Sequence, residues 1–251
     1  MIAYGKRILA GRLATTAIFF AGTALMAADA AAKPAKGPAG HESVLDLIIL
    51  GGYVMIPLGI CSLLTLTFFL ERMIALRKKN IVPESFMPAV KPLLISNPPD
   101  LDKAFEYCVE HKSPLSAAIK AGVEKWKKGR PKENVEKALE DAAGAEVARM
   151  TRSLRIFRIV AAISPLLGLL GTVYGLIHAF QTVAADSKAI GKAAQLAQGI
   201  YEAMVTTAAG LTIAIPTLVV FYFFLWKVDN LADEMESACN EFIDDYREAT
   251  K

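Results

Sequence analysis

Three side chains able to do chemistry stand inside stretches built mostly from apolar residues. Thr172 lies in the run IFRIVAAISPLLGLLGTVYGLIHAFQTV over 156–183, and Glu202 and Thr207 in the run that opens GIYEAMVTTAAG at Gly199. Within a bilayer a carboxylate costs roughly 2.5–3.5 kcal/mol at the centre and less near the ends, so it faces protein or water and is by default a functional group. From the residues alone two readings of Glu202 stay open: a functional acid, or an acid a few residues into its helix that reaches the outer interface. Thr206 and Gly210 follow it at i+4 and i+8, on roughly its face, while Thr207 points elsewhere. Thr172, with Ser164 a little over two turns before it, fits either a hydrated path or a hydroxyl bonded back to its own helix. A threonine hydroxyl donates and accepts hydrogen bonds but does not titrate near neutral pH, so it can hold water without carrying the proton itself.

The elements that must position these groups are long helices. About 20 apolar residues cover the roughly 30 Å of a bilayer core, and both stretches exceed that. In the first, Gly168, Gly171 and Gly175 fall at i, i+3 and i+7 and share one helix face. Such a face lets a neighbouring helix approach closely, as helices in lipid do when apolar burial no longer drives them together. A third stretch, 47–70, is equally apolar, and Pro57 with Gly51, Gly52 and Gly59 around it predicts a kink. The chain has 251 residues, 54% of them hydrophobic, with its charges gathered in blocks. The expected fold class is an all-α membrane protein with three transmembrane helices, 44–71, 156–183 and 199–226. Two of them extend into the cytoplasm beside a helical cytoplasmic domain.

Charge sets the orientation. Glu71 and Arg72 close the first span, and Arg77, Lys78 and Lys79 after it flag the cytoplasmic side. Residues 72–158 carry 18 Lys/Arg against 11 Asp/Glu, net +7. Four of these arginines, Arg149, Arg152, Arg155 and Arg158, stand at the membrane mouth, where orientation and membrane-lipid headgroups account for them. Prolines divide the cytoplasmic domain, 72–155, into short pieces, and Ser113-Pro114 reads as an N-cap with Pro at the first helical position. After Pro131 the residues Val135, Leu139, Ala142, Val147, Met150, Leu154 and Phe157 predict one helix that enters the membrane without a break. Its part below the bilayer, 131–158, would measure about 42 Å at 1.5 Å per residue. The external loop 184–198 holds only Asp186, Lys188 and Lys192 as charges. Beyond the third span, Val228, Leu231, Met235, Ala238, Phe242 and Tyr246 form a helical seam in a tail, 227–251. That tail has three basic and eight acidic residues, net −5, suited to packing on the basic block. At the other end, residues 1–30 resemble a secretory signal, with Lys6, Arg7 and Arg12 before an apolar core and Ala28-Asp29-Ala30 after it. An uncleaved anchor is the rival reading. An Ala/Pro/Gly/Lys linker, 31–43, follows on the outer side.

Other function classes find little support. Cys61, Cys108 and Cys239 lie far apart without metal-ligand or disulfide spacing. No phosphate loop, metal motif or nucleophile motif is present, so neither an enzyme nor a cofactor is expected. The basic block lacks interleaved aromatics, which disfavours nucleic acid. A solute transporter is disfavoured because three spans hold no repeat pair and no broken-helix signature apart from Pro57 and Pro216. His178, near the outer end of the second span, fits packing or interface placement better than proton relay.

Two motifs in order resemble the ExbB/TolQ proton-channel family, to which MotA-type stators are more distantly similar. The first is Gly171-Thr172-Val173-Tyr174-Gly175. The second runs Gly199-Ile200, Glu202-Ala203, Thr207, Gly210 and Ala214-Ile215-Pro216. The resemblance covers roughly 47–246, with Tyr174 where tryptophan is common, and the signal-like start is closest to long-form ExbB. It implies a homopentamer in the bacterial inner membrane, multi-pass, with a periplasmic N-terminus. Its second and third spans would line a lumen occupied by single-span ExbD/TolR-like subunits that bring the proton-carrying aspartate. Thr172 and Thr207 would be lumen hydroxyls and Glu202 a polar wall residue, with Gly168, Gly171, Gly175, Gly210 and Pro216 shaping the helix packing. The implied work is to energise a TonB- or TolA-like protein from the proton motive force, for outer-membrane import or, alternatively, for TolQ-like envelope maintenance. A non-conducting membrane scaffold is the remaining rival.

Overall fold

A computed structural model describes residues 52–96, 98–185 and 192–249; the signal-like segment, the linker and the start of the first apolar stretch lie outside them. A single 3-10 turn, Gly52–Val54, leads into α1 (Met55–Ala75). Short helices follow: α2 (Lys78–Ile81), α3 (Phe86–Ile95), α4 (Leu101–Glu110) and α5 (Pro114–Lys127). Then come α6 (Lys132–Ser153), α7 (Arg155–Ala185) and the 58-residue α8 (Lys192–Ala249). No strand occurs among the described residues. Three helical stretches are long and apolar enough to cross a membrane, lying in Gly52–Ala75, Lys132–Ala184 and Leu196–Ala249. Leu63, Leu66, Leu166, Leu169, Ile215 and Leu218 are exposed along them, as suits helices solvated by lipid. The protein is an all-α membrane protein.

Local chemistry explains most boundaries, and three differ from the sequence reading. Pro57 does not kink α1: the helix begins at Met55, so the proline occupies the first turn, where its missing N–H had no partner to lose. The long second helix tightens at Leu154, whose N–H reaches the carbonyls of Thr151 and Arg152. Thr151 and Ser153 bond back to the carbonyls of Val147 and Met150, and such back-bonding bends helices. Finally, α8 starts at Lys192 rather than near Gly199, because Ala193, Ala194, Gln195, Leu196, Ala197 and Gln198 are all good helix formers. Ser113 caps α5 in a reciprocal pair with Ser116, with Pro114 in the first turn.

The chain divides into two compact units, residues 1–62 with 161–216, and residues 63–160 with 217–251. In the second, Phe86, Val90, Leu94, Leu115, Ile119, Val123, Val135 and Leu139 form a buried core with Ala238, Cys239, Phe242 and Ile243 of the tail. Trp126 meets Phe242 and Tyr246 edge-on, at 6.2 and 4.7 Å between ring centroids. A Cβ at Gly122 would fall 2.8 Å from the Leu139 side chain and 3.2 Å from the Phe242 ring, so glycine lets α5, α6 and the tail close without displacing them. A second cluster joins Leu76, Met150, Leu154 and Phe157 to Val220, Phe224, Val228, Leu231 and Met235. The acidic tail and the basic block do pack together. Lys91 bridges Glu241 and Asp245 at 3.2 and 3.1 Å, and Lys78 reaches Glu234 at 3.0 Å.

Candidate functional site

Within the unit that holds residues 161–216, α7 and α8 meet along two facing stripes of small residues. Gly168, Gly171, Gly175 and Ala179 line one helix, and Gly199, Ala203, Thr206 and Gly210 line the other. Close approach is built into backbone, not side chains. A Cβ on Gly210 would stand 2.6 Å from the Ser164 carbonyl oxygen, and one on Gly168 3.0 Å from the Thr206 carbonyl oxygen. A Cβ on Gly171 would strike the Thr206 side chain, one on Gly199 would strike Ala179, and one on Gly175 would sit 3.1 Å from the Ala203 Cβ. The glycines that the sequence assigns to packing therefore pack within the chain. Pro216 sits inside α8, where its ring removes one backbone hydrogen bond.

Three hydroxyls gather against the Gly168 and Leu169 carbonyls on one turn of α7. Thr206 is fully buried, and its Oγ1 lies 2.7 Å from the Ala203 carbonyl and 3.2 Å from that of Gly168. Thr207, half-buried, donates to the same Gly168 oxygen at 3.3 Å. Thr172 donates to the next carbonyl, Leu169, at 2.7 Å. The hydroxyls of Thr172 and Thr207 are thus held by adjacent carbonyls, Leu169 and Gly168, rather than by each other. Each keeps oxygen lone pairs that can accept from water. Glu202, half-buried, accepts from Gln198 Nε2 at 3.2 Å. A carboxylate, a carboxamide and hydroxyls on neighbouring turns can pass hydrogen bonds along a row of waters. Among the described residues no group of His, Cys, Asp and Glu could hold a metal ion.

Sequence reasoning assigned Thr207 to the path but gave no role to Thr206, whose hydroxyl also reaches across to the Gly168 carbonyl, at 3.2 Å. The missed signal was a second small-residue stripe. Gly199, Ala203, Thr206 and Gly210 fall at i, i+4, i+7 and i+11, the complement of the glycine stripe on α7.

Long apolar helices, closed on one another through glycines and carrying hydroxyls and one acid, define a membrane protein with polar groups held along its packed spans. Residues 110–237 match the model of the MotA/TolQ/ExbB proton channel family, and the chain belongs to that family. It is similar to the ExbB-like 1 biopolymer transport protein of Synechocystis sp., 35% identical over 71% of this chain and 69% of the relative. Biopolymer transport protein exbB1 of Vibrio cholerae is 35% identical over 70% of this chain and 77% of its own length. Tol-Pal system protein TolQ of Pseudomonas aeruginosa is 33% identical over 44% and 47%. The family is one of channels and transport proteins, not an enzyme class.

Proposed function

We propose that this chain is the channel-forming stator subunit of an inner-membrane motor driven by the proton motive force. It assembles as a homopentamer around a dimer of ExbD/TolR-like single-span subunits, whose aspartate carries the proton. The complex energises a TonB-like protein for outer-membrane import; a TolA-like protein serving envelope maintenance is the alternative. The N-terminus is periplasmic, residues 72–155 and 227–251 are cytoplasmic, and Arg155 and Arg158 meet lipid headgroups. The driving force, about 2.3 kcal/mol per charge per 100 mV, suffices for mechanical work when several protons pass per cycle.

The observation that carries this reading is the set of Thr172, Thr207 and Glu202, polar groups spaced along apolar helices of a proton-channel family. The back-bonded Thr172 hydroxyl also suits a non-conducting scaffold, so the test must separate the two. Valine at Thr172 or Thr207 keeps the shape and removes the hydroxyl, while serine restores the hydroxyl at the loss of a methyl. In a channel, valine lowers proton-driven activity of the reconstituted complex by about tenfold, roughly 1.4 kcal/mol on the barrier, and serine is better tolerated. In a scaffold the order reverses, because only packing changes. Wild-type rates for both valine variants, at unchanged oligomer size, would end the channel reading.

A further inference from the structure

The four arginines near the end of α6 and the start of α7 do not share one environment. In the unit that contains them, α6–α7 and the tail half of α8 run antiparallel, joined by Met150, Leu154 and Phe157 against Phe224, Val228 and Leu231. The rings of Phe157 and Phe224 stack at 5.7 Å between centroids, which fixes the register. At equal rise per residue, Arg158 and Arg155 then stand at the height of Tyr222 and Trp226, aromatics of the kind that mark a membrane interface. Arg152 and Arg149 stand lower, at the height of Asp229 and Asp233.

At that lower height the outward faces carry opposite charge. Arg149 and Arg152 are exposed on the side of their helix turned from the shared core, and Arg149 has only Glu146 of its own helix, at 3.5 Å. Asp229, Asp233 and Glu236 fall at i, i+4 and i+7, one exposed face of α8 turned from the same core. No ion pair engages Arg152, Asp229, Asp233 or Glu236 among the described residues, while Glu234, Glu241 and Asp245, on other faces of α8, are all paired with lysines of the block. The helix pair therefore presents a cationic stripe on one flank and an anionic stripe on the other, at one height.

We propose that these stripes are the two halves of a head-to-tail contact between copies of this chain, Arg149 and Arg152 of one copy meeting Asp229 and Asp233 of the next. A ring whose axis runs along the helices relates neighbours without a shift in height, so groups at equal height on opposite flanks are the ones that meet. A two-fold contact would instead set each stripe against its own like charges. The inference rests on the homo-oligomeric part of the proposed function and adds the residues that face each other in it.

The test uses the full-length protein in membranes, with Arg152→Cys and Asp229→Cys combined in one chain and the wild type oxidised in parallel. The two positions lie on opposite sides of one helix pair, and a disulfide needs its Cα atoms within roughly 7 Å, so a bond can form only between copies. The expected result is a ladder of covalent multimers that collapses on reduction and is absent from the wild type. Native mass of the same sample separates the two ideas. An intact oligomer without a ladder overturns this contact and leaves the stator reading standing, whereas a monomer overturns both. The charge swap gives a second readout: Arg152→Glu and Asp229→Arg each shift the detergent-solubilised oligomer to smaller species, and together they restore its size. Failure of the swap to restore, with helical content unchanged, counts against the contact.

Discussion

Glycines on the facing stripes of α7 and α8 differ from glycines elsewhere in what a methyl group would meet. At Gly210 it would press to 2.6 Å on the Ser164 carbonyl oxygen, which is backbone and cannot move aside, while at Gly175 its nearest neighbours would be the Cβ, Cα and N of Ala203 at 3.1–3.4 Å. At Gly59 and Gly144 it would meet nothing within 4 Å. Gly210→Ala should therefore destabilise by about 1–3 kcal/mol through overpacking, Gly175→Ala by less, and Gly144→Ala should be neutral or slightly stabilising through helix propensity. Thermal unfolding of the detergent-solubilised protein measures the order; equal midpoints for Gly210→Ala and Gly144→Ala would refute it. The i, i+3, i+7 glycines were visible in the sequence because spacing alone puts them on one face. Their partner was not, since nothing in a glycine stripe says whether it meets another helix of the same chain or a second copy. Thr206 shows why: it reads as one more hydroxyl beside Thr207 until the Gly171 contact distinguishes the two.

Among the elements, the amphipathic seams were the most legible feature. Val135, Leu139, Met150, Leu154 and Phe157 on one side, and Val228, Leu231, Met235 and Phe242 on the other, are buried, because a period near 3.6 already encodes which face turns inward. The tightening at Leu154 was hidden, since neither Pro nor Gly marks it and its cause is a pair of hydroxyls competing for carbonyls. The clasp between α3 and the tail carries a pH signature. Burial raises the Asp245 pKa above the usual aspartate range, and this outweighs the opposing hydrogen bond and charge of Lys91. Lys91 itself is raised, chiefly by its hydrogen bond to Asp245. A carboxyl with a raised native pKa contributes stability that is fully present below its unfolded value, near 3.9, and lost as pH rises through the raised value. The difference in unfolding stability between the wild type and Asp245→Asn should therefore shift against the wild type as pH climbs from about 4 to 7. The raised Lys91 pKa works in the same sense only at alkaline pH, above the ordinary lysine range near 10.4. A pH-independent difference between the two proteins across the acid range would remove Asp245 from this role.

For the whole molecule, topology decides whether the polar groups of α7 and α8 lie on a proton path with the correct sense. Residues 72–158 hold an excess of seven positive charges, and the segment 184–198 holds only Asp186, Lys188 and Lys192. The positive-inside rule reads short loops and residues close to the span ends, and Arg72, Arg77, Lys78, Lys79, Arg155 and Arg158 all fall in that zone. The acidic tail does not weaken the assignment, since Asp and Glu contribute little to orientation and the tail is paired to the basic block by Lys78 and Lys91. On the proposed topology the block and the tail share one side of the membrane, and the short segment 184–198 occupies the other. Ser187→Cys tests this directly. A membrane-impermeant maleimide should label it in intact cells, while Glu133→Cys, on the exposed side of α6, should label only after lysis. The reverse pattern would invert the molecule. Glu202 would then lie towards the cytoplasm, and proton entry from the outer side would have to begin at the arginine-rich mouth. A cationic mouth repels the incoming proton and so opposes the inward flow that the proton motive force drives.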